Sequence, residues 1–306
     1  MPRLIDHLRS LGISNKEAEA LLNNGKVIYC GLPTSDKGRE VDVARVEIRR
    51  DAPKLQPGRD IAVLYRDDDL LVISKPAGMM SVSAIGRRGE KNVIGVVRHL
   101  FGAAFPVHRL DEETSGLMMI ALTEECQTAI KAILFEHKVE RRYLAIVKGL
   151  FPSRPCTVKS QMVRNRGDGL RGKTSASGED GAREAVSHLK LVEHLGKNAS
   201  LVEARLETGR THQVRIHLSD EGYPILGDDL YAPLNVTRSA PRLALHSFKL
   251  EIKHPFTDEQ LSFEIPLADD LEALRRLLIR RGAESGEVSG KKPGRGTLQK
   301  RRGMVR

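Results

Sequence analysis

Between Ile61 and Leu267 the apolar residues change period repeatedly, and that mixture restricts the fold more than any single motif does. "IAVLYRDDDLLVISKP" (61–76) holds two short apolar runs on either side of an Asp turn, the pattern of two neighbouring strands. "VIGVVRHLF" (93–101) and "ECQTAIKAILFEHK" (125–138) instead carry apolar residues three and four apart, which is helical spacing. "SLVEARLE" (200–207) returns to strict alternation, with Val202, Ala204 and Leu206 on one face of a half-buried strand. "LALHSFKLEI" (243–252) and "LSFEIPL" (261–267) are further strand candidates. Strands and helices alternate irregularly and no segment repeats. An α+β fold with a mainly antiparallel mixed sheet and flanking helices is expected.

A smaller unit precedes this region. Leu4, Ile5, Leu8 and Leu11 recur at helical spacing, and Gly12 ends the run. Ser14 with Glu17 has capping-box spacing for a second helix through Leu21 and Leu22. Gly25 closes that helix and "KVIYC" (26–30) follows as a strand. "DAPKLQPGRD" (51–60) reads as a linker. The expected units are therefore a small α/β module and linker over 1–58, a main domain over 59–281, and a disordered basic tail over 282–306. Residues 164–183, rich in Gly and Ser with five Lys/Arg against three acids, read as a flexible segment. That segment and the tail are open to two interpretations, a solubilising loop or a phosphate-contacting arm.

Net charge is +10, which favours a polyanionic partner; the tail, with seven Lys/Arg against two Glu, supplies half of it. Cys30, Cys126 and Cys156 form no CxxC pair, and there is no HExxH, so no zinc-ligand set is present in the sequence. Neither a P-loop nor a dinucleotide fingerprint occurs, and no cofactor is expected. The cysteine usage suits a reducing compartment. The first residues lack an apolar signal region and no run approaches eighteen apolar residues, so the expectation is a cytoplasmic protein without a membrane span, acting as a monomer.

Two polar clusters are the candidates for chemistry. "PVHRLDEETSGL" (106–117) packs a histidine, an arginine and three carboxylates together, and Asp111 stands two residues after Arg109. Such a run is commonly a surface turn whose carboxylates cap backbone N–H groups. It is equally able to point one carboxylate into a cleft beside an arginine, which lowers an Asp pKa by roughly 1–3 units. "LETGRTHQVRIHLSDEG" (206–222) follows a strand and is expected to start a helix near Thr211, with Arg210, His212, Arg215 and His217 at its front. On a helix His212 and Arg215 share one face while Val214 and Leu218 face the core. A basic helix on a solvated surface and one half of an ion-paired site both remain open.

"PVHRLDEETSGLMMIAL" resembles the His-Arg-Leu-Asp-x-x-Thr-Ser-Gly-Leu signature of the RluA-type RNA pseudouridine synthases. Four more stretches resemble that family in order: "DDLLVISKPAGMMS" (68–81), "VERRYLAIVKG" (139–149), "TGRTHQVRIHL" (208–218), and "PILGDDLYA" with "LHSFKLEIKHP". The start of the chain resembles the ribosomal S-four RNA-binding module. The resemblance implies a pseudouridine synthase catalytic domain and an isomerase that modifies uridines in RNA, with large-subunit rRNA favoured and tRNA the other possibility. It implies Asp111 as the essential carboxylate, Arg215 as its ion-pair partner and Tyr143 as the ring that stacks on the flipped uracil. It further implies RNA contacts from Arg109, His108, Arg210, His212, Gln213 and Lys75. Arg141 and Ser247 depart from the family's usual Lys and Ala. A non-catalytic RNA-binding or ribosome-assembly factor on the same fold is the alternative. A different glycosyl-bond enzyme with paired carboxylates is a further one, disfavoured by the absence of Trp for sugar stacking.

Overall fold

Helix-terminating chemistry organises the first fifty residues. The computed structural model describes residues 1–51, 54–55, 60–83, 89–165, 170–174 and 181–287. α1 (Leu4–Ser10) stops before Gly12, and α2 (Asn15–Asn23) starts where the Ser14 hydroxyl accepts the Glu17 N–H at 3.3 Å. Only half of the expected capping box forms, because the Glu17 carboxylate pairs with Arg50 at 2.9 Å. Leu11 lies beyond the last turn of α1 and is exposed. Gly25 has φ +66° and approaches Leu55 so closely that a Cβ there would lie 2.9 Å from the Leu55 Cβ. A three-stranded antiparallel sheet follows: β1 (Val27–Tyr29) between β2 (Leu32–Pro33) and β3 (Val46–Ile48). Leu4, Leu8, Ala18, Leu22 and Val27 make a small core of their own.

The main sheet is built from β4 (Ala62–Arg66), β5 (Leu70–Lys75), β6 (Phe105–Pro106), β7 (Ser115–Ala121), β8 (Glu140–Lys148), β9 (Cys156–Val163), β10 (Gly172–Thr174), β11 (Arg183–His194), β12 (Ala199–Leu206), β13 (Leu245–Lys253) and β14 (Gln260–Glu264). Its helices are α3 (Val93–Phe101), α4 (Glu124–Phe135), α5 (Gln213–Asp220), α6 (Leu234–Thr237) and α7 (Asp269–Glu287). The strand order is β10-β9-β11-β12-β8-β13-β7-β5-β4, with β14 beside β13 and β6 beside β7. Every pairing among the described strands is antiparallel except β13 with β7, where His246 faces Ser115 and Ser247 faces Gly116. The α+β expectation is met, and the mixed sheet is mainly antiparallel.

Both faces of the centre are covered. Met118 and Ile120 of β7 join the core under α3 and α7, while Leu117, Met119 and Ala121 join the one under α4. A strand buried on both faces reads as a continuous apolar run, which is why "GLMMIA" shows no alternation. Gly116 has φ +111°, and a Cβ there would come within 2.1 Å of the Ser247 carbonyl oxygen, so the parallel crossing requires glycine.

Two expectations change. The 164–183 segment contains β10, paired with Gln161–Val163, and Arg183 opens β11; residues 166–169 and 175–180 lie outside the described ones. α7 runs through Gly282 to Glu287, so the 281/282 boundary falls inside a helix. Gly282 packs where its Cβ would meet Gly196 Cα at 2.4 Å, a contact that no apolar periodicity signals. Residues 288–306 of the tail, and 52–53 and 56–59 of the linker, lie outside the described residues. The N-terminal unit docks through buried polar contacts: Arg39 donates to the Leu267 carbonyl at 2.7 Å and pairs with Asp269 at 2.9 Å. No helix among the described residues is long and apolar enough to cross a membrane.

Candidate active site

Asp111 sits in the turn that feeds β7. The Thr114 N–H donates to the Asp111 carbonyl at 3.1 Å, and Leu110 is clamped by Ser81, whose Oγ donates to the Leu110 carbonyl and accepts its N–H. Lys75, at the end of β5, is fully buried beneath this turn. Its ammonium donates to the carbonyls of Pro76, Met79 and Glu112 at 2.7–2.8 Å. Burial pushes the Lys75 pKa down to about 7. The expected RNA contact from Lys75 is therefore corrected: its charge is committed to the underside of the Asp111 turn. Glu112 contributes its carbonyl to that strut, as the Gly78 N–H also shows at 3.0 Å.

The second cluster comes from the β12–α5 connection. The helix starts at Gln213, two residues later than expected, because His212 takes φ +61° as the residue before it. Gln213 is buried and fully engaged: its Oε1 accepts from the Thr208 hydroxyl and the Arg210 N–H, and its Nε2 donates to the Val186 carbonyl and Ser187 Oγ. Its amide shapes the turn from the cavity wall. His217, expected at the basic front, is buried under the sheet between Ser160 and Ser187, each at 2.8 Å, and burial pushes its pKa to about 4. The solvated basic helix is thereby ruled out, since Gln213 through Leu218 are all buried.

Arg215 is the hinge of the site. Its Nε and Nη2 grip both oxygens of Asp228 at 2.8 and 2.7 Å, and Nη2 also reaches Asp229 at 2.9 Å. Its Nη1 lies 3.7 Å from Asp111 Oδ2, while His212 Nε2 lies 3.7 Å from Asp111 Oδ1. Burial opposes charge on Asp228. The Arg215 guanidinium and the Leu230 and Tyr231 N–H groups outweigh it and hold the carboxyl below its ordinary value. Burial likewise opposes charge on Arg215, and Asp228, Asp111 and Asp229 together raise its pKa above the usual guanidinium range. Asp228 carried no signal beyond its place in "PILGDDLYA", and it holds Arg215 more closely than Asp111 does.

Asp111, His212 and Arg215 line one cavity of about 1070 Å³. Tyr143 of β8, buried in the sheet, reaches it from below; burial pushes its phenol above the ordinary value, so the ring enters as a neutral hydroxyl. Arg141, two residues earlier and noted in the sequence only as a departure, also lines it and donates to the Glu207 carbonyl at 3.3 Å. Arg109 is exposed on the same cavity, and Arg210 lines it with its Nε donating to the Glu184 carbonyl at 2.9 Å. His212 Nδ1 bonds the Tyr231 hydroxyl at 2.9 Å. His108 lines the cavity too, but its Nε2 accepts the Met119 N–H at 2.9 Å and burial pushes its pKa to about 3. It is a neutral wall of the cavity.

The mixed sheet and this carboxylate–arginine cavity define an RNA pseudouridylate synthase, and the chain belongs to that family, which matches residues 69–220. The chain is 34% identical over 261 residues to ribosomal large subunit pseudouridine synthase D of Zymomonas mobilis, covering 79% of this chain and 81% of that protein. It is 38% identical over 244 residues to the protein of the same name in Xanthomonas campestris, covering 74% and 72%. Among solved structures, human RNA pseudouridylate synthase domain containing 1 aligns with a TM-score of 0.57 at 25% identity, over 70% of this chain and 86% of that one. The protein is thus an RNA pseudouridine synthase, an isomerase acting on RNA.

Proposed function

We propose that this synthase isomerises uridines of large-subunit rRNA and that Asp111 is its essential carboxylate. The relatives from Zymomonas and Xanthomonas carry the large-subunit name, which supports that RNA over tRNA. One observation carries the residue assignment: Asp111 projects each carboxylate oxygen to 3.7 Å from a different nitrogen group, Arg215 and His212, inside the cavity. The reaction breaks the bond from uracil N1 to ribose C1′, turns the base, joins C5 to C1′ and transfers the C5 proton to N1 through acid–base steps. Asp111 serves either by attacking the ribose or by accepting a proton while stabilising developing positive charge. Tyr143 stacks on the flipped uracil, and Arg215 pairs with the carboxylate and aims it. Extruding the base costs a few kcal/mol, and Arg109, exposed at the cavity, is suited to fill the gap left in the RNA. Arg210 and His212 contact the RNA beside it.

The N-terminal unit has the helix–turn–helix–strand order expected of an S-four-like RNA-binding module. We assign it RNA binding, assisted by the basic tail, in a monomer working in the cytoplasm. The test is pseudouridine mapping of total RNA from cells with and without the gene, by carbodiimide treatment and primer extension. Loss at one or a few large-subunit positions is expected, with restoration by the wild type and none by Asp111→Asn. Loss confined to tRNA would overturn the substrate, and full restoration by Asp111→Asn would overturn the residue.

A further inference from the structure

The cavity around Asp111 continues onto the C-terminal turns of α4, where Lys131, Leu134, Phe135 and His137 also line it. Its volume, about 1070 Å³, is at the upper end of small-ligand pockets, which run from about 300 to 1,000 Å³. One flipped nucleoside leaves much of it open. Phe135 stands in the open part with 85% of its surface exposed. A lone exposed apolar side chain is ordinary; its surroundings here are not.

Lys131 precedes Phe135 by four residues on the same helix, so the cation and the ring share one face. The helix ends in a left-handed residue, which is usually glycine. Here it is His137, at φ +58°. The side chain that makes this backbone costly also anchors it, since His137 Nδ1 donates to the Glu207 carbonyl at 2.8 Å. That carbonyl also accepts from Arg141. The end of α4 is thereby pinned to the turn that carries Arg210 and His212. Arg183 and Arg210, from two other elements, line the same cavity. The nearest carboxylate of the turn, Glu207, is engaged with His188 at 2.5 Å. Three separate elements therefore bring cations around one bare aromatic ring beside the reacting carboxylate. Cations along a backbone path and a ring for a base are the two parts of a single-stranded RNA subsite.

We propose that Phe135 is a stacking platform for a nucleotide flanking the target uridine, with the adjoining phosphates held by Lys131, Arg183 and Arg210. This rests on Asp111 as the reacting carboxylate and on large-subunit rRNA as the substrate. Phe135→Ala raises KM for an unmodified large-subunit rRNA transcript by about five- to a hundredfold, the range of one lost stacking contact. Phe135→Tyr restores binding, while Phe135→Leu, apolar but without a π face, does not. Lys131→Ala lowers the slope of log affinity against log salt by about one. The chain contains no Trp, so Phe135→Trp supplies a unique fluorophore whose emission is quenched when the transcript binds.

Unchanged KM in Phe135→Ala, full rescue by Leu, or Trp emission indifferent to saturating RNA would each overturn the platform. The two readings fail separately. Quenching by a transcript that the wild type does not modify refutes the large-subunit substrate and supports the platform. Efficient modification without any Phe135 effect refutes the platform alone.

Discussion

The Arg215 guanidinium divides its N–H groups among three carboxylates: two to Asp228, one shared with Asp229, and Nη1 facing Asp111 at the longer distance of 3.7 Å. That asymmetry leaves Asp111 oriented by Arg215 without being locked by it. Asp228→Asn removes the anchor while leaving a buried cation. Breaking such a pair from one side costs about 3–5 kcal/mol. Urea denaturation should show a loss of that size, and turnover by the remaining folded enzyme should fall because Arg215 is free to close on Asp111. Unchanged stability would show that Asp229 suffices. Tyr143 is different in kind. Its ring is the useful part, and Tyr143→Phe should retain substantial single-turnover activity; a loss as complete as that of Asp111→Asn would assign a role to the hydroxyl. Arg109, Arg210 and His212 do reach the cavity, as the two polar clusters promised, whereas Lys75 and His217 do not, and Gln213 lines it with its amide engaged in the turn. A sequence displays charge and polarity, but not which carbonyls will surround an ammonium once strands have packed.

Among the elements, the parallel contact between β7 and β13 is what places the Asp111 turn. Gly116 lets the two strands meet within van der Waals distance of Ser247, and its neighbour Ser115 donates to His246 Nδ1 at 2.8 Å. Gly116→Ala demands both a left-handed backbone and space occupied by a carbonyl. A destabilisation of about 2–4 kcal/mol, read as a lower urea midpoint, is expected from strain and overpacking together. Activity should fall with it, because the displaced segment begins five residues after Asp111. A fully stable, fully active variant would mean the crossing is looser than its geometry. The strands with clear alternation, such as β12, and the helices α3 and α4 were legible from period alone. β9, β10 and β11 were not: β9 and β11 alternate only weakly beside a Gly- and Ser-rich stretch, and three-residue β10 has no pattern to display. The 281/282 boundary fell inside α7 because nothing local shows that Gly282 approaches Gly196.

Among the described residues two deeply buried neutral histidines lie outside the cavity. His246 bridges Ser115 and the Pro266 carbonyl, and His217 bridges Ser160 and Ser187. Burial pushes their pKa values to about 3 and about 4, against 6.5 for a free histidine. The unfolded chain therefore binds more protons than the native one below pH 6.5, and stability falls as the pH drops from there towards 3–4. Each group contributes on the order of 1 kcal/mol per pH unit within that window. Unfolding midpoints measured from pH 8 to pH 4 should already fall between pH 8 and 7, where Lys75 with its pKa of about 7 is neutral in the native chain and charged in the unfolded one, and decline further below 6.5 as the two histidines add their share. A flat profile down to pH 5 would contradict neutral burial. His217→Gln should reduce the slope even if it lowers the plateau.

Local pattern by itself determined the α+β class, most helices, strands β4, β5, β12, β13 and β14 and the two clusters from which Asp111 and Arg215 emerge, because periodicity and capping act over a few residues. Only the tertiary structure decided that Asp228 holds Arg215, that Lys75 braces the Asp111 turn from beneath, and that Phe135 lies bare beside the cavity. Those outcomes depend on which faces are covered and which distant carboxyls and carbonyls arrive next to a buried charge, and burial and long-range pairing exist only once the sheet has closed over them.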